Sequence, residues 1–549
     1  MNEKRLKDPL YGYICIPSNV ITNIIDSAPF QRLRRVTQTS YAPLYSSAVH
    51  NRFVHSLGVY NLGKIAGTTL AKEIKGRIQE NELQIPDSLI DRLSDIFFLA
   101  CLLHDVGHAP FSHTGEEFYL EANREYGEIH SLLKTTVNDP VFSNDIPSDK
   151  SKAAAAHEIM SAIVGLKEFS SFFESAEEAS FFARCITGYK YTEKSSLSSI
   201  KNCYIQLLNS KVIDVDKLDY LIRDAYITGY NTVKIDYERL LTSITVVISD
   251  DASDYTCFEI AYRKGAISVI ENVVYAHDSE RKWIQNHPVI LYESYILQHV
   301  MKMLAERLEV EGKKLFSIES LSTQGQELNN GDLVRLLSDD DIIVLMKRYY
   351  QENMLVREYF DRKKRRHPLW KSEAEYKAFF LGASSGGSII DSLEASMKAT
   401  AEYLSKNTDN WVINDALVST IESELQDLPE SALDKKTKQT QISRKNDILK
   451  VVKCLMDYAK AVGYSGDFVL IKASQFNSGF LKPDFSETKI VFPTGETKKT
   501  VRFGDNVSSI SGIVRERDDF FYLFYDRQQN SGNNLDIDLL CRNLIRAFV

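Results

Sequence analysis

Apolar residues recur every three to four positions over Leu57–Ile74, Ile90–Leu103, Ala153–Leu166, Ile213–Ile227, Ala266–Val274 and Ile290–Val310, and this period predicts amphipathic or buried helices. The helical pattern runs to about residue 460. Residues 322–331, rich in Gln, Asn and Gly, predict an exposed loop. Ser338 with Asp341 three positions on predicts an N-cap opening a helix over Ile342–Tyr350. Residues 382–387 (GASSGG) predict a break that lacks the lysine and spacing of a phosphate-binding loop, and residues 431–445 a polar linker. After Gly466 the pattern shifts to short runs rich in Val, Ile, Phe and Tyr. Phe468–Ile471, Lys489–Phe492, Thr500–Phe503 and Phe520–Tyr525 predict strands. The fold class expected is mainly α, with a helical core over 1–330, a helical extension over 331–460 and a small α+β C-terminal lobe over 461–549.

Composition narrows the function classes. The chain has 549 residues, 44% hydrophobic and 26% charged, as in ordinary soluble domains. A formal net charge of −9 argues against a general nucleic-acid coat. Nucleic-acid binding is left open only as a local patch, and the basic run 361–367 (DRKKRRH) is read as a solvated helix end. No stretch approaches the roughly 18 apolar residues that span a bilayer, and the first residues lack an apolar leader. Seven cysteines are scattered without paired spacing, the pattern of reduced thiols. A cytoplasmic protein with no membrane partner is expected.

The densest chemistry follows the apolar run Phe97–Leu103. His104, Asp105, His108 and His113 fall within ten residues, and imidazole with carboxylate is the usual ligand set of a catalytic divalent metal. At i and i+4, His104 and His108 are expected to share a helix face, with Gly107 and Pro110 ending the helix and His113 on a loop. One turn supplies too few ligands. His55, one turn after Arg52, is a further candidate, although a single histidine there reads equally as a packed side chain. Asp216, Tyr220 and Asp224, at i, i+4 and i+8 beside Lys217, form a stripe that suits a metal ligand followed by phosphate and sugar contacts. Alone, that stripe reads as a surface of ion pairs.

The order His55 … His104-Asp105 … Asp216 resembles the signature of HD-domain phosphohydrolases. The flanking segments 8–14 (DPLYGYI), 30–34 (FQRLR), 50–58 (HNRFVHSLG), 104–113, His157-Glu158 and 214–220 (DVDKLDY) are similar to one branch, the deoxynucleoside triphosphate triphosphohydrolases. That group contains the SAM-and-HD-domain enzyme and bacterial deoxyguanosine triphosphate triphosphohydrolases. The likeness covers residues 5–300 in detail and extends loosely to 467–471 and 520–527.

The resemblance implies an HD-domain helical core in which His55, His104, Asp105 and Asp216 hold one divalent transition metal (Mn, Fe or Zn), with Mg allowed as companion of the nucleotide. Such an ion polarises a phosphoryl oxygen and lowers the pKa of water, so that attack at the α-phosphorus releases deoxynucleoside and triphosphate. It further implies His113 as general acid, oriented by Glu116 where relatives usually have aspartate. His108 stands beside them. Arg52, His108, His157 and Lys217 would face the triphosphate, Tyr220 and Asp224 the deoxyribose, and Gln38 the sugar 3′-hydroxyl. Thr39 departs from the apolar residue of relatives, and 40–49 lacks their glycine run. A phosphate-binding arginine and a base-stacking tyrosine of relatives fall near His277 and Gln285, with Arg281 or Trp283 as substitutes. Lys4, Asp26, Gln31 and Arg34 resemble a regulatory nucleotide site lying between subunits. A homo-oligomer, tetramer or hexamer, activated by a second nucleotide is the corresponding expectation, in nucleotide-pool control or anti-phage defence. The alternatives are another HD-domain phosphohydrolase, acting on a second messenger, a nucleoside monophosphate or a nucleic-acid end, and a catalytically silent nucleotide-binding scaffold.

Overall fold

The computed structural model describes residues 3–548 except 123–125, 148–152, 212, 231–232, 250–253, 310–313, 330, 382–386, 408, 427–434, 474–484, 486, 495–496, 507–518 and 528–534. The fold is mainly α, as the periodicity predicted. Two compact units are present, one of Met1–Arg281, Arg307–Ile343 and Asn477–Arg515, the other of Lys282–Glu306, Val344–Phe476 and Glu516–Val549.

The first unit is organised around α1 (Arg52–Glu80), capped by the Asn51 side chain, which accepts from the Val54 amide at 3.3 Å. Packed on it are α2 (Asp87–Leu103) and α5 (Val215–Thr228), while α4 (Ala156–Glu168) packs on α3 (His113–Ala122). Two strand pairs were not anticipated: the hairpin β1 (Glu3–Asp8) with β2 (Gly12–Pro17), and β3 (Ile244–Ser249) with β4 (Cys257–Arg263). The runs Ile14–Ile16 and Ile244–Val247 are too short for a helix period to be excluded by pattern alone. Strand β5 (Lys489–Thr494) pairs parallel to β4 and antiparallel to β6 (Thr497–Arg502), giving the sheet order β6-β5-β4-β3.

Three local expectations are corrected here. Helix α2 ends at Leu103, because the next amides bond in tight turns, Val106 to the Leu103 carbonyl and His108 to the Asp105 carbonyl. His104 and His108 therefore do not share a helix face. His113 is not on a loop: Phe111 and Ser112 adopt left-handed φ values of 55° and 54°, reverse the chain and start α3 at His113. The 322–331 loop contains the two-residue strand Gln326–Glu327, paired with Leu333–Val334. Of the predicted capping pair the Asp341 half is present, with Ser338 N–H and Oγ both donating to Asp341 at 2.8 Å, and the helix α6 spans Asp339–Arg348.

In the second unit, helices Pro288–Leu308, Gly387–Lys406, Lys435–Ala461 and Ile537–Arg546 accompany a sheet in which Phe521–Tyr525 lies between His367–Pro368 and Phe468–Lys472. Two more expectations change. Residues 435–445 of the supposed linker are the first turns of Lys435–Ala461, because lysines and glutamines keep helical propensity when solvated. The basic run is not wholly solvated: Arg366 is buried against Glu358 at 2.6 Å and Asp467 at 3.4 Å, and Arg365 pairs with Glu293 at 3.2 Å. Residues 382–386 of the expected break at 382–387 and residues 431–434 lie outside the described residues, and Gly387 opens Gly387–Lys406.

Candidate metal centre

His55, on the first turn of α1, and His104, at the end of α2, bring their Nε2 atoms to 3.2 Å. Asp105 places carboxylate oxygens 3.6 Å from His55 Nε2 and 3.5 Å from His104 Nε2. Asp216, on the first turn of α5, places Oδ1 at 3.0 Å and 3.7 Å from the same nitrogens. Ligand atoms about 2 Å from one shared ion lie about 3–3.5 Å apart, so these separations fit a single divalent cation. The far nitrogens strengthen the fit. His55 Nδ1 lies 2.7 Å from Asp219 Oδ2, and His104 Nδ1 2.9 Å from the Cys101 carbonyl. Both partners are acceptors, so each Nδ1 carries a proton and each Nε2 faces inward. Two inward nitrogens and two carboxylates form a donor set that fits a cation.

Without an ion the same carboxylates favour a proton on His55: burial opposes its charging, but hydrogen bonds to Asp216 and Asp219 outweigh it and raise its pKa to about 9, so a bound metal would displace that proton from Nε2. Burial raises the Asp105 pKa, yet Arg52, His104 and His55 hold it well below the usual carboxylate range. Asp216 is depressed likewise, with burial opposed chiefly by His55 and His104.

Support behind His55 was not among the residues singled out from sequence. Asp219 accepts from Tyr11 Oη at 2.8 Å and from Arg223 Nε and Nη2 at 2.9 Å, and Arg223 reaches Asp8 at 3.1 Å. Burial raises the Asp219 pKa, and Arg223 with His55 brings it down to about 2. Gly58 is required by this packing: a Cβ there would stand 1.8 Å from Asp219 Oδ1. The signal was present as the spacing Asp216–Asp219–Arg223 on one helix and as the segment Asp8–Tyr11, but its meaning is a long-range contact.

A second cluster is built on Glu116 of α3. Its carboxylate bonds His113 Nδ1 at 2.9 Å and His157 Nδ1 at 2.8 Å. Burial opposes charging of His157, but Glu116 raises its pKa to about 9. His108 stacks on His157 with centroids 4.4 Å apart and rings 12° from parallel. It is fully buried, neither ring nitrogen has a hydrogen-bond partner among the described residues, and burial and nearby Arg52 push its pKa well below the ordinary value. Parallel rings send their lone pairs side by side, so this trio suits a metal less well than His55, His104 and Asp105, although its nitrogens are close enough for one.

The remaining predicted residues divide. Arg52 donates to Asp105 at 2.8 Å, to Ser112 Oγ at 2.8 Å and to the Gln38 carbonyl at 3.3 Å. Gln38 is buried and its Oε1 has no partner among the described residues. Lys217 is turned to Asp214 and to the Ser210 carbonyl. Asp224 is buried and bonded to His50 Nε2 at 2.7 Å. Burial pushes the Tyr220 hydroxyl pKa well up, with Glu280, Asp216 and Asp214 adding to the shift. His277 lies 3.4 Å from Asp278, Gln285 ends the π-helical turn Arg281–Gln285, and Trp283 is half-exposed beneath Lys282 Nζ at 4.7 Å. Of the regulatory group, Gln31 accepts from Arg34 Nε at 2.9 Å and donates to the Ile25 carbonyl at 2.7 Å, while Arg34 covers the Phe53 ring at 3.5 Å. Lys4 and Asp26 are exposed.

All seven cysteines are free thiols, and no helix among the described residues is long and apolar enough to cross a membrane.

The HD-domain family matches residues 52–183. The chain is similar to the uncharacterized protein YwfO of Bacillus subtilis, 26% identical over 56% of this chain and 58% of that protein. It is also similar to the deoxynucleoside triphosphate triphosphohydrolase SAMHD1 of Gallus gallus, 32% identical over 43% of this chain and 36% of the relative. The chain thus spans about half the length of the first curated relatives it matches, 58% and 53%. Among solved structures, a hypothetical protein from Aquifex aeolicus shares the fold with a TM-score of 0.52 at 18% identity, over 99% of this chain and 100% of that one. A phosphohydrolase from Bacteroides thetaiotaomicron does so with a TM-score of 0.52 at 17% identity, over 96% and 100%. Residues 52–183 thus carry an HD domain, and the chain is similar in part to deoxynucleoside triphosphate triphosphohydrolases.

Proposed function

We propose that the chain hydrolyses deoxynucleoside triphosphates to deoxynucleoside and inorganic triphosphate, using one divalent transition metal held by His55, His104, Asp105 and Asp216. The observation that carries this reading is the ligand set beside a histidine-rich second cluster: Arg52 bonds Asp105 and Ser112, the neighbour of His113, and His108 Nε2 lies 3.9 Å from Asp105 Oδ1. A metal ligand set beside groups that offset several negative charges suits a polyphosphate ester. When bound, the ion supplies Lewis-acid polarisation and a nucleophile at neutral pH.

The protein's own groups divide the remaining work. His157, charged through Glu116, and Arg52 oppose the triphosphate charge. His108, neutral and without a hydrogen-bond partner among the described residues, offers one donor and one acceptor to phosphate and water. His113 is two-thirds exposed and bonded to Glu116 through Nδ1, so it presents Nε2 to the leaving 5′-oxygen as proton donor. Gln38 Oε1 accepts a sugar hydroxyl, and Tyr220 and Asp224 flank the deoxyribose, Asp224 through His50. Lys217 stands at the edge of the site, with Asp214 competing for its ammonium group.

Lys4, Asp26, Gln31 and Arg34 form the proposed effector site of a homo-oligomer, a tetramer or hexamer, whose assembly an activating nucleotide favours by binding only the assembled state. Such an activity serves nucleotide-pool control or deprives a phage of DNA precursors.

Incubation with Mn²⁺ and each nucleoside triphosphate, followed by anion-exchange identification of products, tests the reading. Triphosphate with deoxynucleoside is expected. Other phosphorylated products would establish a different HD-domain phosphohydrolase, and no turnover with any metal would leave a binding protein. Light scattering and rates measured with and without each nucleotide test the effector site.

A further inference from the structure

One carboxylate outside the HD-matched residues ties the cleft together from behind. Asp339 is the first residue of α6, it is buried, and both of its oxygens are used. Oδ2 accepts from the Thr37 amide at 2.8 Å and from the Thr37 hydroxyl, and Oδ1 accepts from the Phe111 amide at 2.6 Å. An aspartate at a helix start ordinarily serves its own helix. Here Asp341 caps Ser338 instead, which leaves Asp339 to bond two segments about 230 and 300 residues earlier in the chain. Burial raises the Asp339 pKa to about 6, and the bonds from Thr37 and Phe111 act against that rise.

The two segments it grips lead into Gln38 and His113, two groups assigned to the nucleotide in the reading above. Thr37 precedes Gln38, whose carbonyl receives Arg52 at 3.3 Å. Phe111 precedes Ser112, whose hydroxyl donates to the Thr37 carbonyl and accepts from Arg52 Nε at 2.8 Å. Phe111 and Ser112 both hold left-handed backbone, a conformation unfavourable for residues with a Cβ that persists only where surrounding contacts impose it. His113 begins α3 directly after them. Arg32 secures the same region, donating to the Leu337 carbonyl at 2.6 Å, to the Val106 carbonyl at 3.0 Å and to the His108 carbonyl at 2.8 Å.

We propose that Asp339 is a positioning residue for nucleotide binding, holding the Thr37–Gln38 and Phe111–His113 walls in register so that Gln38, Arg52 and His113 meet the substrate together. This rests on the nucleotide-hydrolysis reading above. Asp339 touches no proposed metal ligand, so its effect falls on the nucleotide and leaves the ion in place.

The test compares Asp339→Asn and Thr37→Val with the full-length wild-type chain. Asp339→Asn keeps one acceptor oxygen and loses the other, so KM for a deoxynucleoside triphosphate should rise about tenfold, roughly one hydrogen bond's worth, with kcat changed far less. One metal ion per chain should remain, and amide hydrogen exchange at Thr37 and Phe111 should accelerate. Unchanged KM and unchanged exchange would overturn the proposal. So would a loss of activity matched by a loss of metal, since that pattern belongs to general unfolding. If Asp339→Asn does not fold, Thr37→Val removes a single hydroxyl contact and should raise KM in the same direction. If the wild-type protein hydrolyses no nucleotide, the hydrolysis reading has failed. Asp339 is then judged by amide exchange and by calorimetric binding of deoxynucleoside triphosphate, and wild-type values for both would overturn it.

Discussion

His55 Nδ1 lies 2.7 Å from Asp219 Oδ2, and both side chains are wholly buried. The contact orients the imidazole and makes its inward nitrogen more basic, so Asp219 would tune the affinity for an ion held as proposed without touching it. Asp219→Ala should weaken metal binding by about 10–100-fold. Asp219→Asn should weaken it less, because the amide oxygen still accepts from Nδ1. Chelator competition measures both, and wild-type affinity in Asp219→Ala would remove Asp219 from this role.

Two glycines of the same helix should respond in opposite senses. Gly58→Ala would press a methyl group to 1.8 Å from Asp219 Oδ1 and 2.5 Å from Arg223 Nη2. A destabilisation of about 1–3 kcal/mol, with weaker metal binding, is expected. Gly76 has no atom within 4 Å of an added Cβ, so Gly76→Ala should stabilise by about 0.5–1 kcal/mol through helix propensity. Urea melts of the two variants decide the contrast.

The metal group and the proton-donor group should separate by mutation. Asp216→Ala should lose metal and activity together. His113→Ala should retain the ion and lower kcat by about 10²–10⁴-fold. Metal analysis beside single-turnover rates reads both, and near-normal turnover in His113→Ala would place the proton elsewhere.

Stability should fall on the alkaline side of neutrality. The His157 pKa is raised from 6.5 to about 9 against burial by Glu116. A raised folded-state pKa contributes stability that is full below pH 6.5 and is lost as pH climbs through 9. At about 1.4 kcal/mol for each tenfold change, the loss is about 3 kcal/mol. Glu158, raised by burial to about 7, adds a loss of the same sign in the lower window from its ordinary value of 4.5 up to 7. Chemical melts from pH 6 to 10 should show the alkaline slope in the wild-type chain and a shallower one in Glu116→Gln. Parallel slopes would dissociate the pair from stability.

Helix existence was legible along the chain because burial of one face imposes a period on residues that are neighbours in sequence. The long runs Leu57–Ile74 and Ile90–Leu103 lie within α1 and α2 for that reason. The short strands β1–β4 were not legible, since β3 and β4 are stabilised by partners on one another and on β5, more than two hundred residues away. Local turn chemistry was misjudged at His104–His113, where tertiary contacts of Arg52 and Asp339 hold a reversal that propensity alone disfavours.

The sequence by itself determined the inventory of chemistry: two histidines and two aspartates of the right types in the right order, and a histidine-rich segment beyond them. Hydrophobic periodicity also determined that these residues would sit at helix ends and first turns. Only the tertiary structure decided which histidine joins which cluster, separating His104 from His108. It alone showed that Asp219, Tyr11 and Asp8 support His55, and that Asp339 holds Thr37 to Phe111. Spacing encodes contacts within a turn of helix. Hydrogen bonds across hundreds of residues depend on where whole elements pack, and no local pattern records that.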